Sequence, residues 1–281
     1  MKHFIILFFL GVNFTILIKP ALSAQSEWAS ADHMQARLLL AQDSIGEKAE
    51  IEGALQIRQS QGWHSYWRSP GDSGLAPQFI WEGSENIKSV EVSYPLPKSF
   101  DEMGLTTFGY DGEIVFPLTI SLKEPEKQAS LDLKLATMVC KDICIPQTLS
   151  LSLNIPKGEA VASRHIPFID FAKSKIPAKG SSATLKVENI VLSRDKAVIT
   201  AHSASGFERA DIFLELGEFA LTSAPEFQID EDTPKNAMII FEIPEHIAGE
   251  FSHDPVPYSG VQAIATLSNG REAIEQSMVI D

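Results

Sequence analysis

Two cysteines, Cys140 and Cys144, are the only thiols in the 281-residue chain, and they stand four positions apart. A neighbouring pair can cycle between dithiol and disulfide. A thiolate on another protein attacks one sulfur, a mixed disulfide forms, and a second thiol resolves it. The same pair could instead be a structural staple, or supply two thiolates to zinc or copper. Lys141 beside Cys140 favours its thiolate and Asp142 opposes it. The spacing is not Cys-x-x-Cys and starts no helix, so the helix N-terminus that lowers a thiol pKa is missing. A carrier is expected rather than an initiating oxidant. None of His33, His64, His165, His202, His246 and His253 has ligand spacing from the cysteines, so no metal and no cofactor is expected. A Gly-x-Ser-x-Gly elbow, a His-Glu-x-x-His pair and a phosphate loop are all absent.

The elements that must position the pair are legible on both sides of it. Leu131, Leu133 and Leu135 alternate with Asp132, Lys134 and Ala136; Leu149, Leu151, Leu153 and Ile155 alternate with Ser150, Ser152 and Asn154. Alternation at period two predicts two half-buried strands, with the cysteines at or near a hairpin tip. On one straight strand such residues would lie roughly 13 Å apart, whereas a disulfide needs Cα atoms about 5.5–6 Å apart. The chain must therefore reverse over Lys141, Asp142 and Ile143. So short a ring stabilises by only about 2 kcal/mol in the chain-entropy model. Exchange is thus the favoured reading over a staple.

The N-terminus reads as a secretory signal peptide: Lys2, an apolar run from Phe4 to Ile18, and small residues through Ser23 and Ala24 for cleavage. The run is shorter than the ~20 residues of a membrane helix. The expected destination is a periplasm, where disulfides persist. Net charge is −14; loss of residues 1–24, which hold Lys2 and Lys19 and no acid, lowers it by two to −16. That balance argues against nucleic acid and anionic membranes as partners.

Along the chain, strands are predicted at 34–40, 51–57, 77–81, 90–94 and 113–121 before the cysteine hairpin. Short strands between turn signals predict an antiparallel sandwich. Trp63, Tyr66 and Trp67 could form a peptide or carbohydrate platform, but core and rim is the plainer reading. The stretch 99–112 is expected to be a long glycine-rich loop, with Met103 or Phe108 available to cover a disulfide. A helix within 167–175 and a linker at 177–182 lead to strands at 185–192, 197–202, 212–216, 226–229, 237–243, 262–267 and 273–280. Seven strands in this length predict a second immunoglobulin-like sandwich, without cysteine. The expected fold class is all-β, two immunoglobulin-like antiparallel sandwiches in tandem. The expected division is 1–24 signal peptide, 25–158 first sandwich, 159–182 linker and 183–281 second sandwich.

Three segments carry a family resemblance, in order: Gly62-Trp63-His64-Ser65-Tyr66-Trp67-Arg68-Ser69-Pro70-Gly71-Asp72-Ser73-Gly74; Asp101-Glu102-Met103 through Gly109-Tyr110 to Pro117; and Cys140-Lys141-Asp142-Ile143-Cys144-Ile145-Pro146. With them the chain resembles the periplasmic N-terminal region of the DsbD/ScsB group of thiol:disulfide interchange proteins, over residues of about 30 to 155. The resemblance implies an immunoglobulin-like fold whose catalytic pair is Cys140 and Cys144. Electrons would come from a membrane-embedded or thioredoxin-like donor and pass to periplasmic thioredoxin-fold acceptors. It implies a cap loop, Asp101, Glu102, Met103, Phe108 and Tyr110, that shields the pair until a partner docks. Met103 replaces the family's aromatic. Trp63, His64, Tyr66 and Trp67 form the neighbouring motif. It favours Cys144 for the mixed disulfide. Family members usually continue into a membrane domain, so the donor is expected on another chain. The rival expectations are a non-catalytic binding or assembly factor with a structural disulfide, and a copper- or zinc-handling protein.

Overall fold

Side-chain alternation fixes most of the elements, and the structure answers it with strands. The computed structural model describes residues 24–251 and 258–280. The expected signal peptide lies outside the described residues except for Ala24, and so does His253.

The first sandwich is built from β1 (Ala29–Ala31), β2 (Met34–Leu40), β3 (Glu50–Gln59), β4 (His64–Gly71), β5 (Gln78–Ile80), β6 (Ile87–Val92), β7 (Lys98–Glu102), β8 (Leu105–Asp111), β9 (Glu113–Leu122), β10 (Ala129–Cys140) and β11 (Cys144–Ile155). One sheet has the order β1-β2-β3-β9-β6; the other runs β11-β10-β4-β8-β7, with β5 also paired to β10. Leu38, Leu55, Phe116 and Ile120 from one sheet meet Leu131, Leu133, Leu135 and Leu151 from the other in a single core. Burying these faces is the main drive for the fold.

Next comes α1 (Ile166–Lys173), with Pro167 in its first turn, where a missing N–H costs nothing. It packs Ile169 on Leu39 and Ala54, on the far side of the first sheet. The second sandwich comprises β12 (Ala178–Lys179), β13 (Leu185–Leu192), β14 (Lys196–Ser203), β15 (Asp211–Leu216), β16 (Phe219–Ala220), β17 (Glu226–Ile229), β18 (Asn236–Glu242), α2 (Glu245–Glu250), β19 (Gln262–Ser268) and β20 (Ala273–Val279). Its sheets are β12-β20-β19-β15-β16 and β13-β14-β18-β17. The β12–β20 pairing is parallel; the rest of this sandwich is antiparallel. Ile199, Leu214, Ile239, Phe241 and Leu267 centre its core. The protein is all-β, with two antiparallel sandwiches in tandem, and the seven strands expected in its second half are present.

Two segments differ from expectation. Residues 99–112 are not a loop: β7 and β8 form a hairpin, Lys98 to Glu102 against Leu105 to Gly109, turning at Met103-Gly104. Both turn residues have positive φ, 54° and 87°. That geometry suits a two-residue hairpin but disfavours methionine, so the turn carries little sequence signal. The stretch 64–71 is the central strand β4. His64, Ser65, Tyr66 and Trp67 are all buried, which erases alternation.

The two sandwiches meet along β4. Phe213 of the second presents its ring edge-on to Trp67 and Phe108, centroids 5.7 and 5.0 Å apart. Arg68 stacks over Trp67 and reaches Glu215 and Glu275 of the second sandwich at 2.6 Å each.

Candidate functional site

β10 and β11 run in register from Ala129–Ile155 to a last pair, Cys140 opposite Cys144. Three residues reverse the chain, with Lys141 N–H donating to Ile143 O at 3.2 Å. The Cα atoms stand 4.1 Å apart and the sulfurs are bonded. The two ends are unequal. Cys140 is fully buried, whereas Cys144 is exposed. Pro146 is tolerated in β11 because this is an edge strand of its sheet.

β4 brings the next residues. His64 lies directly opposite Cys140 in the sheet, and Ser65 opposite Val139. The buried Tyr66 hydroxyl is 2.7 Å from Cys140 Sγ and 3.5 Å from Cys144 Sγ. It is also 3.1 Å from both carboxylate oxygens of Glu102. A phenol has one proton, so the hydroxyl donates either to Glu102 or to a cysteine sulfur. Gly74 fixes the ring: its φ is +90°, and a Cβ there would fall 2.2 Å from Tyr66 Cε1.

Glu102 is carried in by β7. Its Oε1 lies 2.5 Å from His64 Nε2 and accepts from Thr107 Oγ1 at 2.8 Å. Its Oε2 accepts from Ser73 Oγ at 3.3 Å. The His64 ring stacks on Phe100, centroids 4.4 Å apart. Burial works to raise the Glu102 pKa, but the hydrogen bonds from His64, Thr107 and Tyr66 outweigh it and hold the carboxyl below its ordinary range. Burial first, then the Glu102 charge and hydrogen bond, push Tyr66 well above the usual tyrosine range, so it stays a neutral donor.

The other expected residues fall elsewhere. Asp101 is exposed, and its Oδ1 accepts from Gly104 N–H, which shapes the turn. Met103 is 93% exposed at the hairpin tip and covers nothing; Glu102 stands by the sulfurs in its place. Phe108 and Tyr110 are corrected from cap to core. They sit in β8, pack with Trp67 and Phe116, and are 4% and 3% exposed. Tyr110 donates its hydroxyl proton to Pro95 O at 2.8 Å. Trp63 stacks on His33, centroids 3.8 Å apart, and Trp67 is fully within the core. Ser73, Phe100 and Thr107 were not singled out from sequence. Of these, Phe100 carries one sequence signal, its period-two spacing from Glu102.

Among the described residues, Glu102, Cys140 and Cys144 form a cluster able to hold a cation, their ligand atoms within 4.8 Å of one another. Only reduced sulfurs would offer the thiolates that zinc or copper needs.

Comparison with known proteins bears on this geometry. Residues 35–156 match the family described as "Thiol:disulfide interchange protein DsbD, N-terminal". A solved structure titled "Crystal structure of the N-terminal periplasmic domain of ScsB from Proteus mirabilis" is similar at a TM-score of 0.70 and 20% identity. That likeness covers 92% of this chain and 98% of that one, so the fold is shared through both sandwiches. A marsupial T cell receptor aligns at a TM-score of 0.23 and 11% identity, over 89% of this chain and 97% of its own, too loosely to carry an argument. No curated protein matches the sequence. Residues 35–156, which hold the disulfide, Tyr66 and Glu102, therefore belong to the family of DsbD N-terminal domains, and the fold shared with the ScsB domain continues through the second sandwich.

Proposed function

We propose that this protein is a periplasmic relay for thiol–disulfide exchange. Its Cys140–Cys144 pair would accept two electrons from a membrane-embedded or thioredoxin-like donor and pass them to the disulfides of exported thioredoxin-fold proteins. The observation that carries the reading is the inequality of the two sulfurs: Cys144 is exposed, and Cys140 is buried beside the Tyr66 hydroxyl. The proposal includes a cleaved signal peptide over residues 1–24, a redox sandwich over 25–158 and a second sandwich over 183–281.

The donor thiolate attacks Cys144 Sγ. The Cys140–Cys144 bond breaks, a mixed disulfide forms on Cys144, and Cys140 leaves as a thiolate. Tyr66 turns its proton from Glu102 to that sulfur, so the new anion is met by a donor already in place. The donor's second thiolate then attacks its own sulfur in the mixed disulfide and releases Cys144. The donor ends as a disulfide and this protein as a dithiol, and the two protons lost by the donor thiols return through solvent. Delivery to an acceptor is the reverse: Cys144 attacks the acceptor disulfide, and Cys140 resolves. Glu102, with His64 behind it, occupies the space beside the sulfurs and limits which thiols reach them.

Trapping tests the assignment. A Cys140→Ala variant mixed with an oxidised thioredoxin-fold protein should form a covalent adduct through Cys144, released by dithiothreitol. A Cys144→Ala variant should form far less, because Cys140 has no access. Absence of any reducible adduct with either variant would remove the relay.

A further inference from the structure

Asp72 closes a gap between the second sandwich and the hairpin that carries Glu102. Its Oδ1 accepts from Thr222 Oγ1 of the second sandwich at 2.6 Å. Its Oδ2 accepts from Thr106 N–H at 2.9 Å, and its own N–H donates to Thr106 O at 2.9 Å. The neighbouring residue, Thr107, is fully buried and donates to Glu102 Oε1 at 2.8 Å. From Thr222 the path runs through Asp72, Thr106, Thr107, Glu102 and Tyr66 to Cys140. Every non-covalent step in it is a donor–acceptor approach of 3.1 Å or less, with the one Tyr66 proton serving either Glu102 or Cys140 at a time. Gly71 lets the surfaces close. A Cβ there would lie 2.5 Å from Thr106 O and 3.3 Å from Thr222 Cγ2.

The hairpin needs such support. Phe100 and Phe108 anchor its strands, but its tip holds Met103 and Leu105, 93% and 45% exposed, so apolar packing does not seat the tip. Next to that tip, hydrogen bonds at Thr106 and Thr107 help to keep Glu102 beside the disulfide. We infer that the second sandwich is a backstop for this hairpin, and that Asp72 and Thr222 are positioning residues that hold Glu102 over the Cys140–Cys144 pair. This assigns the second sandwich a part in the reaction while it contributes no reacting atom. It rests on the reading of that pair as an exchanging disulfide.

The test uses the full chain. Thr222→Val keeps the shape and removes the donor; Thr222→Ser restores it; Asp72→Asn leaves one of the two acceptor positions unmet. Two readouts are taken: hydrogen exchange at the Thr106 amide, and the rate at which dithiothreitol reduces the disulfide. Thr222→Val and Asp72→Asn should speed amide exchange by about tenfold, as expected for a lost hydrogen bond to a charged group. They should also speed reduction by roughly threefold or more, while core amides of β10 and β18 keep their protection. Thr222→Ser should return both to wild-type values. Both readouts within about twofold of wild type in Thr222→Val and Asp72→Asn would overturn the inference, as would loss of protection throughout both cores. A wild-type disulfide that dithiothreitol cannot reduce in the folded state would sink the relay instead, and amide exchange would still decide the positioning claim.

Discussion

Glu102 gathers the site at the residue scale. One carboxylate receives His64, Thr107, Tyr66 and Ser73 within 3.3 Å, all four from β4, β8 and the turn after β4. Its folded pKa lies below its ordinary value because those bonds favour the charged form by more than burial penalises it. A group with a depressed folded pKa contributes stability that is complete above the unfolded value and is lost as pH falls through the folded one. Wild-type protein should therefore lose stability more steeply than Glu102→Gln between about pH 5 and pH 3, in urea unfolding at a series of pH values. Parallel loss in the two proteins would show that the carboxylate is not held charged.

At the scale of elements, three pieces of chain converge: the β10–β11 end, β4 and the β7–β8 hairpin. Glycines permit the approach. Gly74 and Gly112 both have positive φ, 90° and 69°, so alanine strains either backbone. Only at Gly74 does the added methyl also meet a ring, that of Tyr66; at Gly112 it meets nothing within 4 Å. Gly74→Ala should cost about 2–3 kcal/mol and displace Tyr66 from Cys140, while Gly112→Ala should cost about 1 kcal/mol. Denaturant unfolding measures both. Equal costs would mean that the ring yields freely. The cysteine hairpin was legible in the sequence because its outer face is solvated and its inner face apolar. β4 was not, because the core covers one face and the β7–β8 hairpin and second sandwich cover the other. β7 and β8 were read as a loop because Met103-Gly104 is an unusual pair for a positive-φ turn. Phe108 and Tyr110, which the resemblance assigns to the cap, are ordinary core residues of β8.

In the whole molecule, Arg68 makes the partly buried ionic link between the sandwiches, beside the exposed Lys179–Glu91 pair. Burial alone would lower its pKa, but the hydrogen bonds and charges of Glu215 and Glu275 outweigh that and raise it. Its side chain keeps 26% of its surface in solvent, and that of Glu215 11%. Removal of the cation strands two carboxylates, one of them buried. Arg68→Ala should destabilise by about 2–3 kcal/mol, below a fully buried pair because solvent screens part of it. Adding Glu215→Gln should recover some of that loss. Thermal or urea unfolding reads this, and an Arg68→Ala protein as stable as wild type would show that the link contributes nothing.

The linear chain by itself determined most of the strands, the tandem sandwiches and the placement of both cysteines at one hairpin end. Period-two patterning states which face a side chain takes, and a hairpin is a local structure. Only the tertiary fold decided that His64 would lie opposite Cys140, and that Tyr66 and Glu102 would meet it from 74 and 38 residues away, measured Tyr66 to Cys140 and His64 to Glu102. Alternation carries no information on which strand lies beside which. That order is set by how two sheets bury a shared core. The same packing made Cys144 the exposed member of the pair and Cys140 the buried one, a distinction that two identical side chains four positions apart cannot encode.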